Sequence, residues 1–393
     1  MPDSPERQRR ELEFCSALGA VLLAAAKGPG APETGQAYAR ARELWEQLGS
    51  PSEFVGIPYG ESFYHVVRGE FDRGQSLAED MLRLGRQRND AAGVVLGHLS
   101  CARCLLYRGK FGQSKSHLEP GLALYDPTAH RSLVDQTGTH PQVYLKGYLA
   151  NVLFCLGYPD QAFARINAAI AEARRLAHPP SLAAGLALGA GLLSLDGNDA
   201  ALNERAEQLV AVTTEQSFPF WVAGGTAIRG CAKVRNGDVT EGISLLRSGL
   251  AAFRATGAEV TAPLYMSHLA GACEVAGRIR KSLALLDDAL QIVERTGECW
   301  IAAELNRHKG RLLVTQGDVE AAENFYRKAL SIAAEQEAKL WELRAAVSLA
   351  RLRRVQGRGG EARDLLAPVY GWFTEGFGTP DLKEAKALLV ELA

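Results

Sequence analysis

The sequence predicts an all-α chain: a right-handed superhelical α-solenoid of about nine antiparallel helix pairs, closed by a C-terminal capping helix. Three observations predict it. The first is a ladder of eight glycines, Gly69, Gly109, Gly157, Gly197, Gly237, Gly277, Gly317 and Gly357, spaced by 40 residues except for one step of 48. The second is the residue seven before each glycine, which is always small: Ser62, Ala102, Ala150, Ala190, Gly230, Ala270, Gly310 and Ala350. The third is the order of small and large residues after Gly317, where Ala322, Tyr326 and Ala329 follow at five, nine and twelve. A fixed period means that one helix–turn–helix unit is stacked on copies of itself. Small residues let two antiparallel helices approach closely, and the large residue fills the gap between pairs.

That small–turn–small–aromatic–small order is the packing code of a tetratricopeptide-like pair. The period of 40 exceeds the usual value of about 34, so each pair carries extra helix or loop. Residues 1–48 read as a degenerate first pair: a helix over Glu11–Lys27, a turn loop GPGAPET, and a helix over Gln36–Leu48 with Ala37, Ala41 and Leu44 at matching spacing. Residues 49–369 are regular pairs. Eight extra residues between Gly109 and Gly157 make a loop insertion at 125–141, where Asp126-Pro127, Thr137-Gly138 and His140-Pro141 are turn signals. Pro179-Pro180 and Pro219 open later helices. Residues 370–393 form an aromatic plug (Tyr370, Trp372, Phe373, Phe377) and a capping helix. Thr379-Pro380-Asp381 supplies its N-cap, first-position proline and first-turn acid. Leu382, Ala385, Leu389 and Leu392 are its apolar face. The total is about 18 or 19 helices and no sheet.

Composition excludes several functions. The 393 residues carry a net charge of −1, so no overall field steers the chain to nucleic acid or membrane, and neither is expected as a partner. The N-terminal stretch is charged and lacks a signal-peptide core. The uncharged run from Pro179 to Leu195, with Gly185 and Gly189 at membrane-dimer spacing, is read as a tightly packed solenoid helix. Seven scattered cysteines fit a reducing cytoplasm. Cys101 and Cys104, with His98 three residues upstream, share one helix and lack a fourth ligand, so they are read as core thiols. There is no phosphate loop, no nucleophile elbow and no zinc-protease motif. No catalytic, cofactor or metal residue is assigned, and the chain is read as a non-enzyme.

The remaining signal lies on each first helix, at thirteen, ten, six and three residues before the turn glycine, away from the small packing position. Before Gly317 these are Glu304, Arg307, Arg311 and Val314; before Gly357, Arg344, Val347, Arg351 and Arg354. Before Gly237 they are Gly224, Ala227, Cys231 and Val234; before Gly157, Tyr144, Gly147, Asn151 and Phe154. Such positions line the concave groove of a solenoid. The candidate binding residues are therefore Arg307, Arg311, Arg344, Arg351, Arg354, Tyr144 and Asn151. The five guanidinium groups, offset nearby only by Glu304, suit an acidic peptide or an acidic face of a protein partner. The plainer reading pairs them with acids of neighbouring helices. The apolar part of this face is buried by tight curvature or by a ligand; curvature is expected.

Several stretches resemble a bacterial family: ALYDPTAHRS (123–132), GYPDQAFARINAAIAEARRLAHPPSLA (157–183), GLAAFRATGAEV (249–260), ELRAAVSLARL (342–352) and LLAPVYGWFTEGFGTPDLKEAKALL (365–389). The family has a class III adenylate/guanylate cyclase or winged-helix domain, a central signal-transduction ATPase and a C-terminal helical-repeat region. This chain is similar to the last part. The resemblance implies a protein-interaction or ligand-sensing arm of a nucleotide-cyclase/ATPase signalling system, and it carries over no catalytic residue. Two alternatives stand beside it: a free-standing assembly scaffold, and an enzyme with a site in the insertion near His130, Asp135 and His140.

Overall fold

A computed structural model describes residues 4–393, and among these it is all-helical, with 20 α-helices and no strand. Helix α1 (Pro5–Val21) runs into a π-helical turn (Leu22–Ala26) and pairs with α2 (Pro32–Gln47). Then follow α3 (Gly56–Val67) with α4 (Phe71–Arg88), and α5 (Ala91–Tyr107) with α6 (Phe111–Leu124). After the short α7 (Leu133–Thr137) come α8 (Pro141–Cys155) with α9 (Pro159–Arg175), and α10 (Pro179–Asp196) with α11 (Asp199–Glu215). The next pairs are α12 (Pro219–Arg235) with α13 (Val239–Ala255), and α14 (Ala262–Val275) with α15 (Ile279–Thr296). Then come α16 (Ala302–Gln316) with α17 (Val319–Glu335), and α18 (Lys339–Val355) with α19 (Gly359–Gly371), before α20 (Pro380–Glu391) closes the chain. The described molecule is an α-solenoid.

The helix beyond the expected 19 is α7, a single short helix inside the insertion. It packs on α1 and α3, and Gln136 accepts the Gly56 N–H at 3.1 Å. The first pair also differs from its expected bounds. Ser4 caps α1 by accepting from the Arg7 N–H, and α2 starts at Pro32, inside the expected loop, because a first-position proline loses no helix hydrogen bond. Residues 1–3 of that pair lie outside the described residues.

The glycine ladder works as a set of left-handed turns. All eight glycines have φ between 68° and 93°, a region costly for residues with a Cβ. At Gly109 the N–H bonds Leu106 O at 2.9 Å and the Lys110 N–H reaches back to Leu105 O at 2.8 Å, so the last carbonyls of α5 are satisfied. The small positions are true close approaches. A Cβ added at Gly249 would stand 2.5 Å from the Ala227 nitrogen. In three pairs a serine uses the closeness: Ser62, Ser114 and Ser282 donate to the carbonyls of Gly74, Ala102 and Ala270 at 2.7–2.8 Å.

The curvature is tight enough for one superhelical turn to rest on the next. The Val67 carbonyl accepts N–H bonds from Glu259 and Val260 at 2.8 and 3.0 Å. One repeat on, the Tyr107 carbonyl accepts from Cys299 and Trp300 at 2.8 and 3.1 Å. Trp221 donates to Ala24 O, and Gly376 N to an Asp160 carboxylate oxygen, across the same seam. The first helix of each pair is consequently inner and mostly buried, whereas the second helix keeps an exposed face. Gly224, Ala227 and Cys231, and likewise Tyr144, Gly147, Asn151 and Phe154, are buried by this winding.

At the C-terminal end, Leu382, Ala385 and Leu388 of α20 join Leu343, Ala346, Ala350, Leu366 and Phe373 in one buried cluster. Leu389 and Leu392 are only partly buried, so the apolar face is centred one residue earlier than expected. Trp372 and Phe373 pack against Gly157, near Lys339.

Candidate ligand-binding lumen

The inner helices enclose two adjoining cavities that share Leu264 as a wall. The larger, of about 970 Å³, lies among the ends of α10 and α12, the inner faces of α14, α16 and α18, the first half of α17 and the start of α20. Arg307, Arg311, Arg344 and Arg351 line it together; Arg354 is not part of its lining. Tyr144 and Asn151 line the second cavity instead.

The arginines are not an unbalanced strip. Arg307 binds both oxygens of Glu304, at 2.8 and 2.6 Å. Arg344 binds both oxygens of Asp381 at 2.8 Å, stands 3.8 Å from Glu304, and donates to the Leu195 carbonyl across the seam. Arg311 meets Glu274 at 2.6 Å. Arg351 and Arg354 pair with Glu384 and Glu391 of α20. The expectation that only Glu304 offsets these charges is therefore corrected. The other acids sit on the adjacent inner helix, about one repeat away in sequence, and periodicity within a repeat does not show them. Five arginines and five carboxylates line the cavity, so its charge cancels overall.

Glu304 and Arg344 are held in their ionised forms by their neighbours. Burial acts to raise the Glu304 carboxyl, but Arg307 and Arg344 win and hold it down to about 2. Burial likewise acts against the Arg344 guanidinium, and Asp381 and Glu304 outweigh it. Asp196 differs: burial, then Asp381, pushes it up to about 6, and its Oδ1 has no hydrogen-bond partner. Between the ion pairs stand exposed valines, Val275 at 65%, Val314 at 38% and Val355 at 82%.

The second cavity, about 110 Å³, is aromatic. Phe63, Tyr107, Tyr144, Tyr148, Trp221, Tyr265 and Trp300 are among its walls. Behind it lies Arg103, which is fully buried, with no hydrogen-bond partner by strict geometry. Its guanidinium stacks 3.8 Å from the Phe63 ring centroid and 5.1 Å from that of Tyr59. Sequence reasoning missed this residue, although it stands six before Gly109, in register with Arg311 and Arg351, between Cys101 and Cys104. Those two thiols are buried, and burial pushes both well up, Cys101 to about 12 and Cys104 to about 11, which makes them inert. Glu298, almost wholly buried, accepts from the Thr261 N–H and the Trp300 indole, both at 2.9 Å, and burial pushes it up to about 8.

In the insertion, His130 turns inward to accept the Asp126 N–H at 3.0 Å, while Asp126 caps Thr128 and Ala129. The His140 ring packs edge-on to His178. These contacts close the loop on itself and onto α10. Among the described residues no group of three or more His, Cys, Asp or Glu is arranged to hold a metal, and no helix is long and apolar enough to cross a membrane.

Residues 260–335 match the tetratricopeptide repeat family model. The chain is a tetratricopeptide-like helical repeat. Its similarity to solved structures runs along nearly the whole tetratricopeptide-like array. NprR in complex with its cognate peptide NprX is 12% identical, with 92% of this chain and 97% of that one covered and a TM-score of 0.59. The apo quorum sensor NprR from B. thuringiensis is 13% identical, with 93% and 99% covered and a TM-score of 0.53. A Rap protein complexed with Competence and Sporulation Factor is 13% identical, with 87% and 98% covered and a TM-score of 0.54. At these identities the likeness is one of fold. An uncharacterized protein of Rhizobium meliloti strain 1021 is 26% identical over 252 residues, 64% of this chain and 24% of that protein. The chain thus spans about a quarter of the length of the curated relative it matches.

Proposed function

We propose that this chain is a non-catalytic regulatory arm that binds a peptide or protein segment in its inner groove. The observation that carries the reading is the groove of about 970 Å³ in which exposed Val275, Val314 and Val355 stand among paired charges. A groove whose arginines already hold carboxylates favours a segment carrying both signs and apolar side chains over a purely acidic one, since an acidic segment must displace Glu274, Glu384 or Asp381. Fold neighbours determined with a bound peptide or signalling factor support the ligand class. The resemblance of residues 123–132, 157–183 and 365–389 to the repeat region of cyclase/ATPase proteins supports a place in such a signalling system, in the cytoplasm.

The test is capture from a lysate of the source cell, using the wild-type chain and the variant Arg311→Glu/Arg351→Glu as paired baits. The two positions are equivalent in adjacent repeats. The reading expects a partner retained by the wild type and lost at least tenfold by the variant, with salt sensitivity and an unchanged helical spectrum. Equal retention by both baits contradicts a role for the groove.

A further inference from the structure

We infer that Asp196, in the wall of the charged groove, receives the ammonium group of a lysine side chain carried by the peptide that lies there. The inference rests on the reading of that groove as a peptide site. Three observations carry it.

The first is the pairing of charges. Of the five carboxylates that line the groove, four are taken: Glu304 by Arg307, Glu274 by Arg311, Asp381 by Arg344 and Glu384 by Arg351. The fifth arginine, Arg235, is held by Asp199 at 3.3 Å, which is not part of the lining, and by the Ser194 carbonyl. Asp196 is left over. It is only 7% exposed, its carboxylate makes no hydrogen bond or ion pair among the described residues, and its Oδ1 is enclosed without a donor.

The second is the place of this acid. Asp196 ends α10, where the last carbonyls give a helix its negative pole. Two of those carbonyls, of Leu195 and Ser194, take N–H groups of Arg344 and Arg235, the guanidinium groups whose charge reaches Asp196. Burial, then Asp381, raises its carboxyl to about 6. Burial, the helix end and a second acid thus all oppose this charge, and no donor of the chain answers it. A ligand cation does.

The third is the repeat. Asp196 stands directly before a ladder glycine, and before the other seven that position holds Arg, Leu, Asn, Ala or Gln. Stacking therefore does not call for an acid. With Oδ1 enclosed, one oxygen is left for a ligand, which suits the point charge of an ammonium better than the two-pronged fork of a guanidinium. A lysine stem brings that charge to a buried acid while its main chain stays in the open groove. Asp196 also borders a cavity of about 480 Å³ with Ile166, Leu193 and Arg205, so the side of entry is part of the test.

The experiment uses n-butylammonium, the lysine side-chain analogue, with 1-butanol as its uncharged counterpart and n-propylguanidinium as the arginine analogue. Binding is read on the carboxyl carbon resonance of Asp196, assigned by its loss in Asp196→Asn, and on nuclear Overhauser contacts to methyl groups. n-Butylammonium should lower the Asp196 titration midpoint by at least one pH unit, bind at least tenfold more tightly at pH 7.5 than at pH 5, and touch Val234 or Val347 of the groove. The other charged groups about Asp196 are Asp381, Arg344 and Arg235, with His268 and His308 on the groove side and Asp160 and Arg205 on the other; all remain in Asp196→Asn, which isolates its share of the pH dependence. Asp196→Asn should lose n-butylammonium at least tenfold. It should also melt no lower than wild type at pH 7.5: a carboxyl raised by folding contributes stability below its ordinary 3.8 and loses it as pH rises through 6, and asparagine removes that loss. A lower melting temperature would mean that the chain itself answers the carboxylate, and would overturn the inference. Equal binding of 1-butanol, tighter binding of n-propylguanidinium, contacts to Ile166 or Leu193 instead, or unchanged binding by Asp196→Asn would each overturn it too. Its failure is separable from that of the groove. A partner captured equally by wild type and Asp196→Asn but lost by Arg311→Glu/Arg351→Glu removes the lysine contact and leaves the groove reading intact. n-Butylammonium held at Asp196 with no partner captured leaves the cation site and removes its peptide.

Discussion

Glu304 divides its oxygens between Arg307, at 2.8 and 2.6 Å, and Arg344, at 3.8 Å, with side chains only 13–16% exposed. Replacing it by glutamine leaves the largely buried Arg307 without its carboxylate and takes one of two acids from Arg344. Breaking such a pair from one side costs on the order of 3 kcal/mol, so Glu304→Gln should lower the denaturation midpoint clearly in a urea titration. An unchanged midpoint would mean that Asp381 and Ser348 hold both arginines without it. Glu298 gives the opposite sign. Its carboxyl is raised from an ordinary 4.5 to about 8 by burial, so the folded state holds a proton that the unfolded state releases. That contribution is full below about pH 4.5 and is lost as pH rises toward 8. Glu298→Gln keeps the acceptor for Thr261 and Trp300 and should remove this loss: equal stability at pH 4 and a higher melting temperature than wild type at pH 8. Parallel pH profiles for the two proteins would refute it. At this scale the sequence was only half legible. The inward register located Arg307, Arg311, Arg344 and Arg351 in one groove. Their partners Glu274, Asp381 and Glu384 belong to neighbouring inner helices, and Arg103 escaped notice because no adjacent residue type announces a buried cation.

Among the elements, the turns and the helix contacts use glycine for different reasons, and two substitutions separate them. Gly237 has φ 92° and open space around a Cβ, so Gly237→Ala incurs only backbone strain, about 1–2 kcal/mol. Gly249 is in helical conformation, but its Cβ would stand 2.5 Å from Ala227 N, so Gly249→Ala must push α12 and α13 apart. The expected order in chemical denaturation is Gly249→Ala worse than Gly237→Ala; the reverse order would contradict the close-packing role of the small positions. The capping helix is a second element-scale case. Deleting Pro380–Ala393 uncovers Leu343, Ala350 and Phe373 and removes Asp381 from Arg344, so the last pair should fray and the chain should self-associate in light scattering. A truncated chain that stays monomeric with an unaltered melting temperature would show that α20 is dispensable. Helix pairs and turns were readable because glycine and small residues recur with the repeat, and the cap because Thr379-Pro380-Asp381 opens a helix with an apolar face of its own. Helix α7 was not, since a five-residue helix inside an insertion has neither period nor amphipathic length to reveal it.

For the whole molecule, winding decides what the inner face is. The same register that would be solvent in an open solenoid is core where the Val67 and Tyr107 carbonyls clasp the following superhelical turn. Residues such as Ala227 and Cys231 are explained by that closure without a ligand. The charged groove and the aromatic cavity are open spaces that remain between the inner helices. The sequence pointed to burial by curvature through its small, apolar inward residues, yet it held no signal for which carbonyls meet across the seam, because those contacts join segments almost five repeats apart. The central claim is that binding takes place inside this lumen. It is tested most directly by hydrogen exchange on the chain alone and on its complex with the partner recovered by the wild-type bait. The account predicts added protection in the inner segments 191–196, 271–275, 311–314 and 344–351, with the outer helices α11, α13 and α15 unchanged. Protection confined to those outer helices, with the inner segments exchanging as before, would contradict it.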